Sequence, residues 1–253
     1  MKRIQKIILL LSLMISYNLN AQKKVEYGFY LGTSITSLSG FDDFTNTLSE
    51  EISQVLGLDF PMSHSNRSFL FNGGGFVSYN VNSWFVLRGG LEYAPKGEKL
   101  EGEGIYPRNY LSDPQYAIQQ KTKIKVAYIE FPISVQLTTR QSNKPDRFYL
   151  YGNFGLSPAI KVFSKMEIET QSVKRTWGGP DGITEEVLEE ENNTEKLDGI
   201  SDFDFGIFLS AGVNIQNAFI DLKYNKGTIN INKNSDGFSF KNSLFSMTFG
   251  FMF

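Results

Sequence analysis

The chain has 253 residues, no cysteine and a formal net charge of −2. Without cysteine there is no disulfide, thiolate nucleophile, thiolate metal ligand or lipidated N-terminal cysteine, and a slightly acidic chain lacks the basic surface of a nucleic-acid binder. Aromatic residues make up 14%, yet no stretch after the N-terminus approaches 18 continuous apolar residues, so any passage through a membrane must be made by a closed β-barrel, which satisfies every backbone group in hydrocarbon.

The first segment, 1–21, reads as a cleaved secretory signal. Lys2, Arg3 and Lys6 form a basic start, Ile7 to Ile15 an apolar core interrupted only by Ser12, and Ala21-Gln22 a cleavage point with the small residue on its N-terminal side. Nine residues are too few for a membrane anchor, since a spanning helix needs about 20. Loss of the signal removes three positive charges, taking the net charge from −2 to −5, and leaves one domain over 22–253.

That domain alternates with period 2, the mark of strands with two unlike faces. In chain order, Tyr27, Phe29, Leu31 and Ile35 oppose Glu26, Gly28, Gly32 and Ser34; Phe69, Phe71, Val77 and Tyr79 oppose Asn72, Gly74 and Ser78. Phe85, Leu87, Leu91 and Tyr93 oppose Arg88, Gly90 and Glu92; Ile129, Phe131, Ile133, Val135 and Leu137 oppose Glu130, Ser134 and Gln136. Leu150, Phe154, Leu156 and Ile160 oppose Tyr149, Tyr151, Asn153, Ser157 and Lys161. Phe203, Phe205, Ile207, Leu209, Ala211, Val213 and Ile215 oppose Asp202, Asp204, Gly206, Ser210, Gly212 and Asn214. Ala218, Ile220, Leu222 and Tyr224 oppose Phe219, Asp221 and Lys223; Phe245, Met247, Phe249, Phe251 and Phe253 oppose Ser246, Thr248 and Gly250. Short turns are expected at Asn80-Val81-Asn82, around Gln141 to Asp146 and at Gln216-Asn217, with longer loops near 38–67, 95–120, 164–200 and 225–241.

Eight strands with alternating short and long connections describe an eight-stranded antiparallel up-and-down transmembrane β-barrel with short periplasmic turns and long outer loops. A soluble barrel with its apolar row inward alternates equally well. Against it stand the Gly, Ser and Asn of the polar row, which suit a narrow filled lumen, and aromatic residues near strand ends, Tyr27, Tyr79, Trp84, Tyr93, Tyr128 and Tyr224, which suit membrane-interface girdles. Pro132 and Pro158 fall inside strands, and Ile124, Val126 and Tyr128 lie on the opposite parity from Ile129 onward, so a bulge or register change is expected near Tyr128 to Pro132.

Tyr128-Ile129-Glu130-Phe131-Pro132-Ile133, followed by Val135 and Leu137, resembles the Y-L-E-I-P-L strand of the PorT-like outer-membrane barrel family of Bacteroidetes. Tyr149-Leu150-Tyr151-Gly152 with Gly155, Asp204-Phe205-Gly206 with Ala211-Gly212-Val213, the Phe-ended last strand and the signal ending in Ala-Gln are similar to that family as well. The resemblance implies the barrel over essentially the whole mature chain. It says little about activity; the founding member is implicated in type IX protein secretion, and that role does not transfer on strand patterns.

Few residues could carry chemistry. The single histidine, His64, stands between Ser63 and Ser65 in the first long loop; a lipid hydrolase could use such a pair, but the setting reads as exposed loop. No catalytic, cofactor or metal site is expected. Trp177-Gly178-Gly179-Pro180-Asp181-Gly182 lacks the spacing and Lys-Ser/Thr of a phosphate loop. Arg88, Glu92, Glu130, Asp204, Asp221 and Lys223 share the polar row and are expected to form a structural network of paired lumen charges; the alternative, an ion path, needs a wider barrel. The loop at 164–200 is acidic and is either solvated, a site for divalent cations bridging lipopolysaccharide, or a surface for a basic partner. Met247, Phe249, Phe251 and Phe253 form the type of C-terminal signal that the barrel assembly machinery reads by strand addition. The expected partners are thus outer-membrane lipid and lipopolysaccharide, the assembly machinery during insertion, and a protein at the outer loops, with no nucleic acid. The functional expectation is a non-enzymatic barrel acting as a structural or partner-binding scaffold, with type IX secretion accessory and lipid hydrolase as alternatives.

Overall fold

A computed structural model of the chain describes residues 25–56, 60–64, 68–106, 114–140, 148–177, 182–233 and 238–253. The expected signal over 1–21 and the expected turn at Gln141 to Asp146 lie outside the described residues. The elements are β1 (Val25–Ser39), α1 (Phe41–Leu56), β2 (Met62–His64), β3 (Ser68–Asn80), β4 (Phe85–Tyr106), β5 (Gln115–Glu130), β6 (Ile133–Thr138), β7 (Phe148–Trp177), β8 (Ile183–Lys196), β9 (Phe203–Ile215), β10 (Ala218–Gly227) and β11 (Lys241–Met252).

Eight positions close into a ring, every neighbour antiparallel: β1, β3, β4, β5 continued by β6, β7, β9, β10 and β11, which returns to β1. The seam is tied by Phe253 N–H donating to Tyr27 O at 2.8 Å and Tyr27 N–H donating to Phe253 O at 3.2 Å. Gln216 takes φ 60° in the two-residue turn between β9 and β10, the left-handed geometry that matches the twist of a tight hairpin. Between β3 and β4, Asn82 Oδ1 accepts from Trp84 N–H at 3.0 Å and Phe85 N–H at 2.8 Å.

The parity of the wall is apolar side out. Phe29, Leu31, Phe71, Ile133, Phe154, Leu209, Met247 and Phe249 are exposed, while Asn72, Glu92, Glu130, Ser134, Asn153, Asp204, Asp221 and Thr248 are buried in the lumen. In water such a molecule would expose an apolar belt around its whole circumference, which only a bilayer can cover. Of the aromatic residues read as girdle, Tyr79, Trp84, Tyr93 and Tyr224 do face out. Tyr128 does not: it is fully buried, on the inner face.

Two lumen-facing glycines show why the polar row is rich in small residues. A Cβ on Gly28 would meet the Phe76 ring at 2.6 Å, and one on Gly250 would meet the Phe219 ring at 2.5 Å. Inward aromatic rings lie flat over glycines of the next strand, and an eight-stranded lumen has no other room for them.

The irregularity near Tyr128 to Pro132 has two parts. Strand β5 ends at Glu130 and β6 begins at Ile133, with Phe131 and Pro132 between. Gly90 N–H donates to Pro132 O, and Phe131 N–H donates to Pro158 O. Since N–H and C=O of one residue face the same neighbour in an antiparallel ladder, both missing proline donors fall beside this interruption. The pairing also slips at Ala127/Tyr128, where Phe163 and Lys161 are the successive partners and Val162 is the extra residue.

Three of the four long connections, 38–67, 95–120 and 164–200, are not mainly loops, which corrects the expectation, while the described residues between β10 and β11 form no named strand. The strands β4, β5 and β7 run on past the bilayer, joined by β8 and β2 into a sheet ordered β2–β4–β5–β7–β8. Segment 38–67 contains α1, entered through Gly40 at φ 83°, a backbone state that disfavours a side chain. Ser49 and Ser53, one turn apart on α1, hold the returning chain: Ser49 Oγ donates to Phe60 O at 2.6 Å and Phe60 N–H donates to Ser53 Oγ at 2.9 Å.

Polarity inverts where the strands leave lipid. On β4 the inward row changes from Glu92, Lys96 and Glu98 to Leu100; on β5 it changes from Glu130 to Tyr128, Val126 and Ile124. The outward row changes the other way, from Tyr93 and Ile129 to Lys99, Glu101, Lys121, Lys123 and Lys125, because the solvent beyond it is now water. The opposite parity of Ile124, Val126 and Tyr128 therefore reflects a change of solvent along one unbroken strand.

Candidate functional site

The lumen is layered. At the periplasmic end Phe76, Tyr149, Tyr151, Phe219 and Met252 pack together with Tyr30 against them. At the outer end Phe60, Leu100, Val126, Tyr128, Ile200, Ile231 and Phe240 form a second apolar cluster, joined by Ile52 of α1. The charges lie between.

Lys96 is the centre of that layer. Its Nζ is 2.7 Å from Glu130 Oε1 and 3.0 Å from Asp204 Oδ2, all three side chains being at most 4% exposed. Ser157 Oγ donates to Glu130 Oε2 at 2.5 Å, Asn225 Nδ2 donates to the same oxygen at 3.2 Å, and Asn242 Nδ2 donates to Asp204 Oδ2 at 2.7 Å. A second group forms around Glu92, which receives Lys223 Nζ at 2.5 Å, Asn72 Nδ2 at 2.9 Å and the Tyr30 hydroxyl at 2.9 Å. Sequence reasoning missed Lys96 because it falls in the segment 95–120 expected as a long loop; the signal was its even spacing from Glu92.

Asp221 accepts from Ser210 Oγ at 3.1 Å. Arg88 donates from Nε to Ser78 Oγ at 3.0 Å, and its guanidinium lies 4.1 Å from the Phe76 ring centre and 5.6 Å from that of Tyr151. A cavity of about 60 Å³ is lined by Arg88, Glu92, Asn153, Asp221, Lys223 and Thr248, among others, space for a few waters at about 10–15 Å³ each. Asn72, Asn225 and Asn242 give their amide nitrogens to carboxylates, and their Oδ1 atoms have no partner among the described residues, so lumen water is the natural donor to them.

At the outer rim Asp202 is clamped between Lys233 Nζ at 2.6 Å and Lys161 Nζ at 3.0 Å. The hydrogen bond from Lys233, then that from Lys161, holds its carboxyl down at about 2, below the usual 3.8. A depressed folded value favours the closed rim above the ordinary carboxylate range and loses that contribution as pH falls through about 2. In the folded barrel the Asp202 side-chain carbon resonance should titrate near pH 2, and Lys233→Ala should move the midpoint up toward 3.8; an unmoved midpoint would show the clamp to be absent in solution.

The remaining residues named from sequence are placed as follows. Met247, Phe249 and Phe251 of β11 and the terminal Phe253 face outward, with Phe249 and Phe251 rings 5.2 Å apart and Tyr27 and Phe253 rings 5.9 Å apart. The backbone of His64 pairs with Leu100 in β2; the side chains of Ser63 and His64, and Ser65 entirely, lie outside the described residues. The acidic segment is the β7–β8 hairpin. Every residue of β8 is exposed, and among the described residues β8 pairs with β7 alone.

A closed antiparallel ring with an apolar outer wall, a charged lumen and a sheet standing above one end defines an outer-membrane β-barrel protein. The chain belongs to the family described as outer membrane protein beta-barrel domain, whose model matches residues 20–233. Solved structures similar to it include Ail, the attachment invasion locus protein of Yersinia pestis, at 12% identity over 91% of this chain and 99% of that one, with TM-score 0.35. Neisserial surface protein A is 12% identical over 91% and 97%, with TM-score 0.32, and OprG from Pseudomonas aeruginosa is 10% identical over 90% and 94%, with TM-score 0.23. Among curated proteins none gives a significant match.

Proposed function

We propose that this barrel is a non-enzymatic scaffold that holds an extended, basic segment of a partner protein along the free edge of β8. The observation that carries the reading is β8 itself: a 14-residue strand, solvent-exposed throughout, with one edge unpaired among the described residues. Unpaired N–H and C=O groups on an edge are a template for strand addition, and natural proteins guard such edges with charge. Here the charges are of one sign but for the last residue. Glu185, Glu186, Glu189, Glu190, Glu191 and Glu195 are set against Lys196 alone, so a second copy of β8 is repelled and a basic strand is attracted. The layered lumen supports a scaffold role over conduction, since the ions in it bind one another.

A labelled peptide of alternating Lys and Val should bind the purified barrel, and its acidic counterpart should not. Glu189→Lys with Glu191→Lys should abolish binding, and N-methylation of alternate peptide bonds should do so without touching charge. Binding that survives both changes would refute strand addition. The resemblance of Tyr128 to Ile133 to the PorT-like strand favours a second reading, an accessory role in type IX secretion; a deletion strain that secretes normally would end it.

A further inference from the structure

Where the outward rows of β10 and β11 leave the lipid-facing band, two lysines share a groove in the wall. The outward row of β10 runs Ile220, Leu222, Tyr224 and then Lys226; that of β11 runs Phe249, Met247, Phe245, Ser243 and then Lys241. The register sets Lys226 opposite Ser243 on β11 and Ile207 on β9, so Lys241 lies one outward position beyond the partner of Lys226. Both line a groove of about 420 Å³ whose floor is Phe154, Ile207, Leu209 and Tyr224. That floor belongs to the lipid-facing surface, and Lys226 is exposed on it.

Neither ammonium has a carboxylate partner among the described residues. Lysines elsewhere at the outer end differ: Lys125, Lys161, Lys165 and Lys233 each have a carboxylate within 4 Å. A lysine on the lipid face is unfavourable unless it reaches the interface and finds an anion there. The groove opens at the end of the barrel that carries the long hairpins, opposite the short turns, so it meets the outer leaflet.

We propose that the groove is a binding site for one molecule of the phosphorylated glycolipid of the outer leaflet, of lipid A type. Its phosphate lies between Lys226 and Lys241, where charge-assisted hydrogen bonds replace the missing carboxylates. Its acyl chains run down the wall over Ile207, Leu209 and Phe154 toward the middle of the bilayer. The site is independent of the strand edge on β8, which belongs to the sheet beyond the bilayer and pairs with β7.

The test is native mass spectrometry of the refolded full barrel, offered bisphosphorylated lipid A, the same lipid without phosphates, and dioleoyl phosphatidylglycerol. One bisphosphorylated lipid A should be retained. Retention should fall roughly tenfold or more, the loss expected from two charge-assisted bonds, for the dephosphorylated lipid and for Lys226→Gln with Lys241→Gln. The charge-keeping pair Lys226→Arg with Lys241→Arg should bind as the parent does, and so should Lys233→Gln. Heat-modifiable migration checks folding, and if the glutamine pair does not fold, the arginine pair and the dephosphorylated lipid still decide the matter. Equal retention by the folded glutamine pair, or equal retention of the dephosphorylated lipid, overturns the proposal. Equal retention of phosphatidylglycerol overturns it too, by showing a general anionic-lipid contact.

Discussion

Replacing Lys96 by methionine is expected to destabilise the barrel by about 3–5 kcal/mol, the cost of removing one partner from a buried ion group. Its ammonium is the only formal positive charge within 4 Å of either Glu130 or Asp204 among the described residues, and both carboxylates are fully buried. Ser157, Asn225 and Asn242 would still donate hydrogen bonds to them, but neutral donors do not balance two charges. The companion variant, Lys96→Met with Glu130→Gln and Asp204→Asn, removes the ions together and should recover most of the loss, since a buried ion group replaced as a unit is often near neutral. Urea midpoints of the refolded barrel, read by heat-modifiable migration, measure both. A wild-type midpoint for Lys96→Met would mean that the three groups are hydrated and weakly coupled. Arg88→Ala should cost less than Lys96→Met, because Arg88 contacts Ser78 and two rings and, among the described residues, no carboxylate lies within ion-pair distance of it.

The second large effect belongs to the last strand. Phe249 is 52% exposed on the outer wall, paired with Leu31 and Ile220, whereas Thr248 is 6% exposed in the lumen, paired with Gly32 and Asp221. Lysine on the lipid face costs about 2–4 kcal/mol at mid-bilayer, to which Phe249→Lys adds the loss of the Phe251 ring contact at 5.2 Å. Thr248→Lys points its ammonium into the cavity that Asp221 and Glu92 also line. Folded barrel in isolated outer membranes should therefore fall strongly for the first and persist for the second. Labels at the two positions separate parity from membrane contact: lipid quenchers should reach position 249 and not 248, and the reverse would invert the wall.

The parity of this wall was legible because a bilayer enforces it at every rung, so Phe245 to Phe253 read correctly without any knowledge of their neighbours. The outer sheet was hidden by the same physics. Past Tyr93 and Ile129 the lipid is gone, apolar side chains move to the inner face, and Lys121, Lys123 and Lys125 opposite Ile124 and Val126 look like a break when the strand continues. Helix α1 carried a sign of its own in Leu48, Ile52 and Leu56 at four-residue spacing, but in a chain so regular in period 2 the segment passed for loop. The lysine groove had no linear signature, since Lys226 and Lys241 are joined only by the β10–β11 register.

The length of β7 sets a reach. Its 30 residues begin at the periplasmic end of the barrel, and Ser164 to Trp177 lie beyond the bulge that marks its exit from lipid. At about 3.3 Å per residue those last residues measure roughly 45 Å of strand, or about 30 Å of height at a barrel tilt near 45°. The hairpin tip thus stands clear of any sugar layer thinner than about 30 Å and is buried by a thicker one. Access to β8 is then governed by the depth of the cell's carbohydrate coat, and a strain with shortened surface glycans should present the same edge to larger partners.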